Sequence, residues 1–284
     1  MAIAYSHLKG WQIPDATQNF GPKECILYAL GLGFGNEPTN PAHLRFLYER
    51  GLHAFPSMAV VLATGVSWAA DPGTGIDYTK VLHAEQTFEL HRPLPSKGEV
   101  VGRTFVDEVI DKGAGRGAIV ITQRDLYIDG ESSPTATLKS TLFCRADGGF
   151  GGPVTESPKP HPVPEREADG RVAIKTLRQA ALIYRLSGDV NPLHCDPAVA
   201  AAAGFREPIL HGLCTFGTAI RSALEATSID PAEVKAGGAR FTSPVYPGET
   251  LETEIWRDSG LVTFRTHISD RDKLALNNGW LRLR

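Results

Sequence analysis

Apolar and polar residues alternate, or run apolar, over residues 100–110, 118–127, 135–145, 251–255 and 261–268. These stretches are rich in Val, Ile, Thr and Phe. Turn pairs such as Asp129-Gly130 separate them, so the pattern predicts strands of an antiparallel sheet. Residues 212–226 follow a different period. Their apolar positions recur at helical spacing with few polar ones, which predicts a buried helix. A sheet wrapped around one such helix satisfies both patterns.

The pattern occurs twice. Ile26-Leu-Tyr-Ala-Leu-Gly31 is echoed by Ile183-Tyr-Arg-Leu-Ser-Gly188, and Asn40-Pro-Ala-His43 by Asn191-Pro-Leu-His194. Pro93-Leu-Pro-Ser-Lys-Gly-Glu99 is echoed by Pro244-Val-Tyr-Pro-Gly-Glu249, and alternating residues follow both. The individual matches are short, but their shared order predicts two diverged copies. Between them, residues 148–170 hold four closely spaced glycines and then Pro153, Pro158, Pro160, Pro162 and Pro164. Proline lacks the amide hydrogen and glycine costs backbone entropy, so this segment is expected to be an extended linker. The expected organisation is α+β, with one half over 1–147 and another over 171–284.

Composition narrows the function. Across 284 residues, hydrophobic residues make up 42% and charged residues 21%, ordinary for a globular protein. A formal net charge of −3 gives no reason to expect nucleic acid or an anionic membrane as partner. No apolar run reaches membrane-spanning length and no secretory signal is visible. Cys25, Cys144, Cys195 and Cys214 show no C-x-x-C spacing, so reduced thiols and a cytoplasmic location are expected.

The densest chemistry lies in Tyr184-Arg-Leu-Ser-Gly-Asp-Val-Asn-Pro-Leu-His194. Pro192 blocks continuation of the preceding helix, which puts Asp189, Asn191 and His194 in one turn. A carboxylate and an imidazole there can hold a single water and exchange protons with a substrate carbon. The competing reading is an Asx-turn with His194 packed nearby. Gly212 follows His211 and opens the predicted helix. Amides at a helix start are free donors with partial positive charge, suited to an oxygen that becomes an enolate. His194, Asp196 and His211 have metal-ligand types but no recognised spacing. Cys195 and Cys214 are nucleophile candidates without any signal of a lowered thiol pKa. In the first half, Pro38 stands where the repeat would place the partner of Asp189, so one acid/base group is missing there.

The stretch 184–194, followed by Pro208-Ile-Leu-His-Gly-Leu-Cys-Thr-Phe-Gly217, resembles the MaoC-like R-specific enoyl-CoA hydratases. It is most similar to the hydratase part of the peroxisomal multifunctional enzyme of β-oxidation. The resemblance extends through Phe46-Leu-Tyr-Glu49, Lys80-Val-Leu-His-Ala-Glu-Gln86, Asp111-Lys-Gly113 and Pro244-Val-Tyr-Pro-Gly-Glu-Thr-Leu-Glu252. It implies a double hot-dog fold, two sheets each wrapping a central helix. It also implies hydration of trans-2-enoyl-CoA to (3R)-3-hydroxyacyl-CoA with no cofactor and no metal. The catalytic roles carry over to Asp189, His194, Asn191, Gly212 and Glu49. Substrate contacts carry over to His83, to Ala84 (where the family has glycine), to Lys112, to Leu193 in the catalytic loop, and to Phe241. The first half is expected to accommodate bulky acyl chains, and the chain to form a homodimer. Thioester hydrolysis and acyl-CoA binding without turnover are the alternatives.

Overall fold

The computed structural model describes residues 2–153 and 155–284; Met1 and Val154, the latter inside the expected linker, lie outside the described residues. In the first half the strands are β1 (Ala16–Phe20), β2 (Val81–Leu90), β3 (Gly98–Asp111), β4 (Ala118–Ile128) and β5 (Ala136–Cys144). The second half contributes β6 (Gly170–Lys175), β7 (Val234–Phe241), β8 (Thr250–Asp258), β9 (Leu261–Ile268) and β10 (Lys273–Leu283). The expected strands over 100–110, 118–127, 251–255 and 261–268 fall within β3, β4, β8 and β9, and the one over 135–145 overruns β5 by one residue at each end.

Among the described residues the strands form one ten-stranded antiparallel sheet in the order β1-β3-β4-β5-β2-β7-β10-β9-β8-β6. Replacing each first-half strand by its successor in the second half, β1 by β6 and so on, turns the left side of this order into the mirror of the right. The seam is β2 against β7, with Glu85 opposite Arg240 and Glu89 opposite Ala236. The two sheets expected side by side are therefore two halves of one continuous sheet, because each half completes its hydrogen bonding on the other's edge.

The seam and its flank depend on missing side chains. A Cβ on Gly237 would stand 2.7 Å from Leu281 and 2.9 Å from the Phe88 ring. One on Gly279 would stand 2.3 Å from Phe264. Glycines in strand interiors mark close approach of neighbouring groups, and they dilute the alternation in β7 and β10.

The helices are α1 (Tyr5–Lys9), α2 (Pro22–Gly31), α3 (Pro41–Leu44), α4 (Ala180–Tyr184), α5 (Pro197–Ala202) and α6 (Gly212–Thr227). Every residue of α6 from Cys214 to Leu224 is buried, so this helix is enclosed on all sides. Gly217 brings it against Leu32 and Tyr28 at the end of α2. Arg221 is buried in α6 as well. Its Nε donates to Glu225 at 2.7 Å, its Nη1 to the Leu32 carbonyl at 3.2 Å and its Nη2 to Asn36 at 3.1 Å. A buried guanidinium needs this kind of pairing.

The sheet order sets α6, which lies between β6 and β7, against the first-half chain between β1 and β2. There the comparable cover is the 3-10 turn Pro56–Val61, six residues against sixteen in α6. A cavity of about 170 Å³ lies beneath this shorter cover.

Candidate active site

The loop from Asp189 to His194 is built from two Asx turns in succession. The Asp189 carboxylate accepts from the Asn191 amide at 3.2 Å, and the Asn191 side-chain oxygen accepts from the Leu193 amide at 3.0 Å. Pro192 supplies a φ suited to the short 3-10 turn Pro192–His194. The first half repeats this device: Asn40 accepts from the Ala42 amide at 2.9 Å at the start of α3. The Asx-turn reading of the sequence is thus correct for the backbone, and it coexists with a site. Asn191 spends its oxygen on the turn that holds His194.

His194 is 8% exposed and His211 1%. His194 Nδ1 donates to the Ile209 carbonyl at 2.8 Å, so its N–H sits on Nδ1 and the Nε2 lone pair is free. His211 Nε2 donates to the Asp189 backbone carbonyl at 3.1 Å, leaving its buried Nδ1 without a partner. Burial lowers the pKa of His194, and it brings His211 to about 4 with His194 beside it as a further cause. Both imidazoles are therefore neutral near pH 7.

One ligand atom each from Asp189, His194 and His211 lies within 4.8 Å of the other two. That spacing suits a water, and the atom types would also suit a divalent ion. Asp196, the other metal-ligand candidate from the sequence, is engaged elsewhere. It caps α5 by accepting from the Ala198 amide at 2.8 Å.

α6 starts beside this cluster. Its first backbone hydrogen bonds are made by Cys214 and Thr215, both donating to the His211 carbonyl at 3.1 Å. The amides of Gly212 and Leu213 are left over, as the first turn of a helix requires. A Cβ on Gly212 would lie 3.1 Å from the Phe241 ring. Glycine thus lets Phe241 pack on the helix start and leaves the amide accessible.

Phe241 in turn meets His83, with ring centroids 4.8 Å apart. His83 Nε2 lies 3.1 Å from the Glu85 carbonyl and 2.8 Å from the Ser140 hydroxyl. Burial pushes its pKa down to about 4. Ala84 is the extra residue of a β-bulge, because His83 faces Leu142 while Glu85 faces Thr141. Such a bulge re-aims the flanking side chains. Lys112 follows Asp111, which belongs to the cross-strand row Val81, Cys144, Ala118, Asp111 at the same end of the sheet. Its Nζ donates to Ser157 at 3.1 Å.

Glu49 is the exception. It is exposed in the turn after α3. Its neighbours hold that turn to the far end of α6: His43 meets Glu225 at 3.2 Å and Arg45 meets Asp230 at 3.1 Å. A sixteen-residue helix is about 24 Å long, so the structure sets Glu49 away from Asp189 and His194. The expectation that it shares their site is corrected. Cys214 is also excluded as a nucleophile, since burial raises its thiol pKa to about 12.

The sequence offered His211 only as a metal ligand or as the neighbour of a nucleophilic cysteine, and it did not single out Arg124. Arg124 projects from β4 onto the inner face of the first half and lines the cavity. An arginine among the alternating apolar residues of β4 is the signal that could have drawn attention to it.

The chain is similar to known proteins over nearly its whole length. Residues 160–277 match the MaoC like domain, and residues 19–146 match the MFE-2 hydratase 2 N-terminal domain. Enoyl-CoA hydratase ChsH3 of Mycobacterium tuberculosis is 38% identical over 276 residues, which cover 95% of each chain. The 3-hydroxyacyl-thioester dehydratase Y of the same organism is 42% identical, with 90% of each chain covered. Peroxisomal multifunctional enzyme type 2 of Mus musculus is 35% identical over 96% of this chain, but the chain spans only 38% of that longer protein. Among solved structures, a MaoC-like dehydratase from Phytophthora capsici superimposes with a TM-score of 0.87 at 31% identity, covering 99% of this chain and 98% of the other. A Mycobacterium tuberculosis protein with a double hotdog fold shares the fold at a TM-score of 0.57 and 14% identity, covering 96% of each chain.

Proposed function

The chain belongs to the MaoC-like hydratase family that includes the hydratase 2 region of the multifunctional enzymes, and from this premise we propose that it adds water to trans-2-enoyl-CoA to give (3R)-3-hydroxyacyl-CoA. The observation that carries the reading is the free Nε2 lone pair of a neutral His194 beside the Asp189 carboxylate, next to the unpaired amides of α6.

In this reading Asp189 and His194 each accept a hydrogen from one water. His194 Nε2 takes a proton while the water oxygen bonds to the β-carbon. The π pair of the double bond moves toward the thioester, and the Gly212 amide stabilises the enolate-like oxygen. The new imidazolium, held next to the Asp189 carboxylate, then returns a proton to the α-carbon. Atoms and charge balance with one water consumed, and the reverse path is dehydration. Asn191 acts by holding the turn. His83, Ala84, Leu193 and Phe241 border the thioester and pantetheine, and Lys112 stands on the CoA side. The second half supplies the catalytic groups and the first half the acyl chamber, beneath the shortened cover Pro56–Val61.

No resident metal or nucleotide takes part in this chemistry. The four free cysteines support a reducing, cytoplasmic location, and among the described residues no helix is long and apolar enough to cross a membrane.

The test is turnover of crotonyl-CoA with chiral analysis of the product. The R alcohol is expected. Asp189→Asn and His194→Ala should each lower kcat by about 10²–10⁴-fold, the usual worth of a positioned acid/base group, with unchanged near-UV circular dichroism. An S product, release of free CoA thiol, or near-normal turnover in both variants would overturn the reading.

A further inference from the structure

The cavity under Pro56–Val61 joins the catalytic loop. Leu213, one residue past Gly212, forms part of its wall, as do His83 and Thr64. A Cβ on Gly188, the residue before Asp189, would lie 3.3 Å from the Val61 carbonyl and 3.6 Å from the Thr64 hydroxyl. An acyl chain whose thioester sits at Gly212 therefore has this chamber in front of it.

The chamber is mostly apolar, walled by Ile13, Val60, Trp68, Leu138, Leu142 and Leu213, but it also holds polar groups and one cation. His83, Gln86, Thr104, Thr122, Ser140 and Arg124 all reach it from the concave face of the sheet. None of its lining residues is acidic. Arg124 Nη2 donates to the Val60 carbonyl at 2.7 Å, while its buried Nε has no partner. Among the described residues no carboxylate stands within ion-pair distance of this guanidinium, although the surface arginines are commonly paired.

Arginine stays protonated at neutral pH even here, where burial lowers its pKa to about 10. An enclosed cation without a counter-ion is costly, and a carboxylate accepting its N–H groups offsets that cost. A methyl-ended chain filling the same space would displace water from the guanidinium and leave nothing in exchange. Gly102 shows that this placement is built into the fold. A Cβ there would lie 2.6 Å from the Ala63 carbonyl and 3.2 Å from Arg124 Cδ, so the bare strand makes room for both the cover and the arginine stem.

We propose that Arg124 selects acyl groups carrying a carboxylate at the far end, so that the preferred substrates are enoyl-CoA thioesters of dicarboxylic or similarly carboxylated acyl chains. The inference rests on the hydratase reading above and deepens it.

The experiment compares kcat/KM for trans-2-enoyl-CoA thioesters of matched length ending in methyl, hydroxyl or carboxylate, with crotonyl-CoA as the short reference. The carboxylate series should exceed the methyl series by about tenfold or more at its best length, a difference of about 1.4 kcal/mol. In Arg124→Gln the ratio should collapse toward one, and Arg124→Lys should keep part of it. A merely structural arginine, tying down the Val60 carbonyl, would lower all substrates together and leave the ratio intact. Should the variants fail to fold, the native panel alone decides. Equal or better turnover of the methyl series, or a preference for hydroxyl over carboxylate, overturns this inference while leaving the hydratase reading standing. Absence of any turnover, crotonyl-CoA included, overturns the hydratase reading instead.

Discussion

The rings of His194 and His211 stack with their centroids 3.7 Å apart, and each donates its one N–H to a backbone carbonyl. Two imidazoles this close cannot both accept a proton cheaply. The pair is thus held in the state in which His194 offers a lone pair.

That arrangement fixes the pH dependence of hydration. In the proposed mechanism protonating His194 removes the base, so kcat/KM should fall on the acid side. Because burial lowers the pKa of His194, the acid limb should lie below the ordinary imidazole value of 6.5. A rate profile on crotonyl-CoA, with stability checked at each pH, measures it. An acid limb above 6.5 would contradict the buried neutral imidazole.

Stability should follow the same direction. His83 and His211 each move from 6.5 to about 4 on folding. Between these values the unfolded chain binds more protons than the folded one. Their contribution is present in full above about 6.5 and is lost as the pH falls toward 4, at up to about 1.4 kcal/mol per pH unit for each group. Denaturant midpoints at several pH values report it. A midpoint constant from pH 7 down to 4.5 would refute it.

Gly212→Ala should damage both folding and turnover, since the new Cβ meets Phe241 at 3.1 Å. The expected destabilisation is about 1–3 kcal/mol, the range for overpacking. Gly212→Ala combined with Phe241→Leu should recover much of the stability, because leucine can yield. Turnover should recover less, since Phe241 also packs on His83. Urea denaturation and crotonyl-CoA kinetics on the four members of this cycle separate the two effects.

Glu49→Gln should change kcat by less than a few-fold and stability by about 0.5 kcal/mol or less, as for an exposed side chain. A loss of hundreds-fold in kcat with a native circular dichroism spectrum would return Glu49 to the site and contradict its exposed position.

The long strands were legible in the sequence because β3, β4, β5, β8 and β9 bury one face and so alternate. The buried α6 was legible from its spacing. β2 was obscured by the extra residue at Ala84, and β7 and β10 by Gly237, Gly238 and Gly279, which make room for Phe88 and Leu281, for Thr87 and Trp280, and for Phe264 respectively. Asp189, Asn191 and His194 could be read because one short turn gathers them. The partnership of His211 with His194 could not, since the sixteen intervening residues are folded back by the Ile209 carbonyl contact and the start of α6. Glu49 shows the opposite failure. A motif beside it in sequence carried it toward the site, while pairing of His43 with Glu225 and of Arg45 with Asp230 anchors that turn at the other end of α6.

The seam between β2 and β7 carries a last consequence. In an assembly of two identical subunits, every inherited change appears on both sides of the axis at once. Here the two sides are encoded separately, so shortening the cover to Pro56–Val61 or placing Arg124 beneath it alters one side only. The tether also makes the pairing of the halves independent of dilution. Substrate range can therefore drift in the first half while the proton chemistry of the second is left untouched.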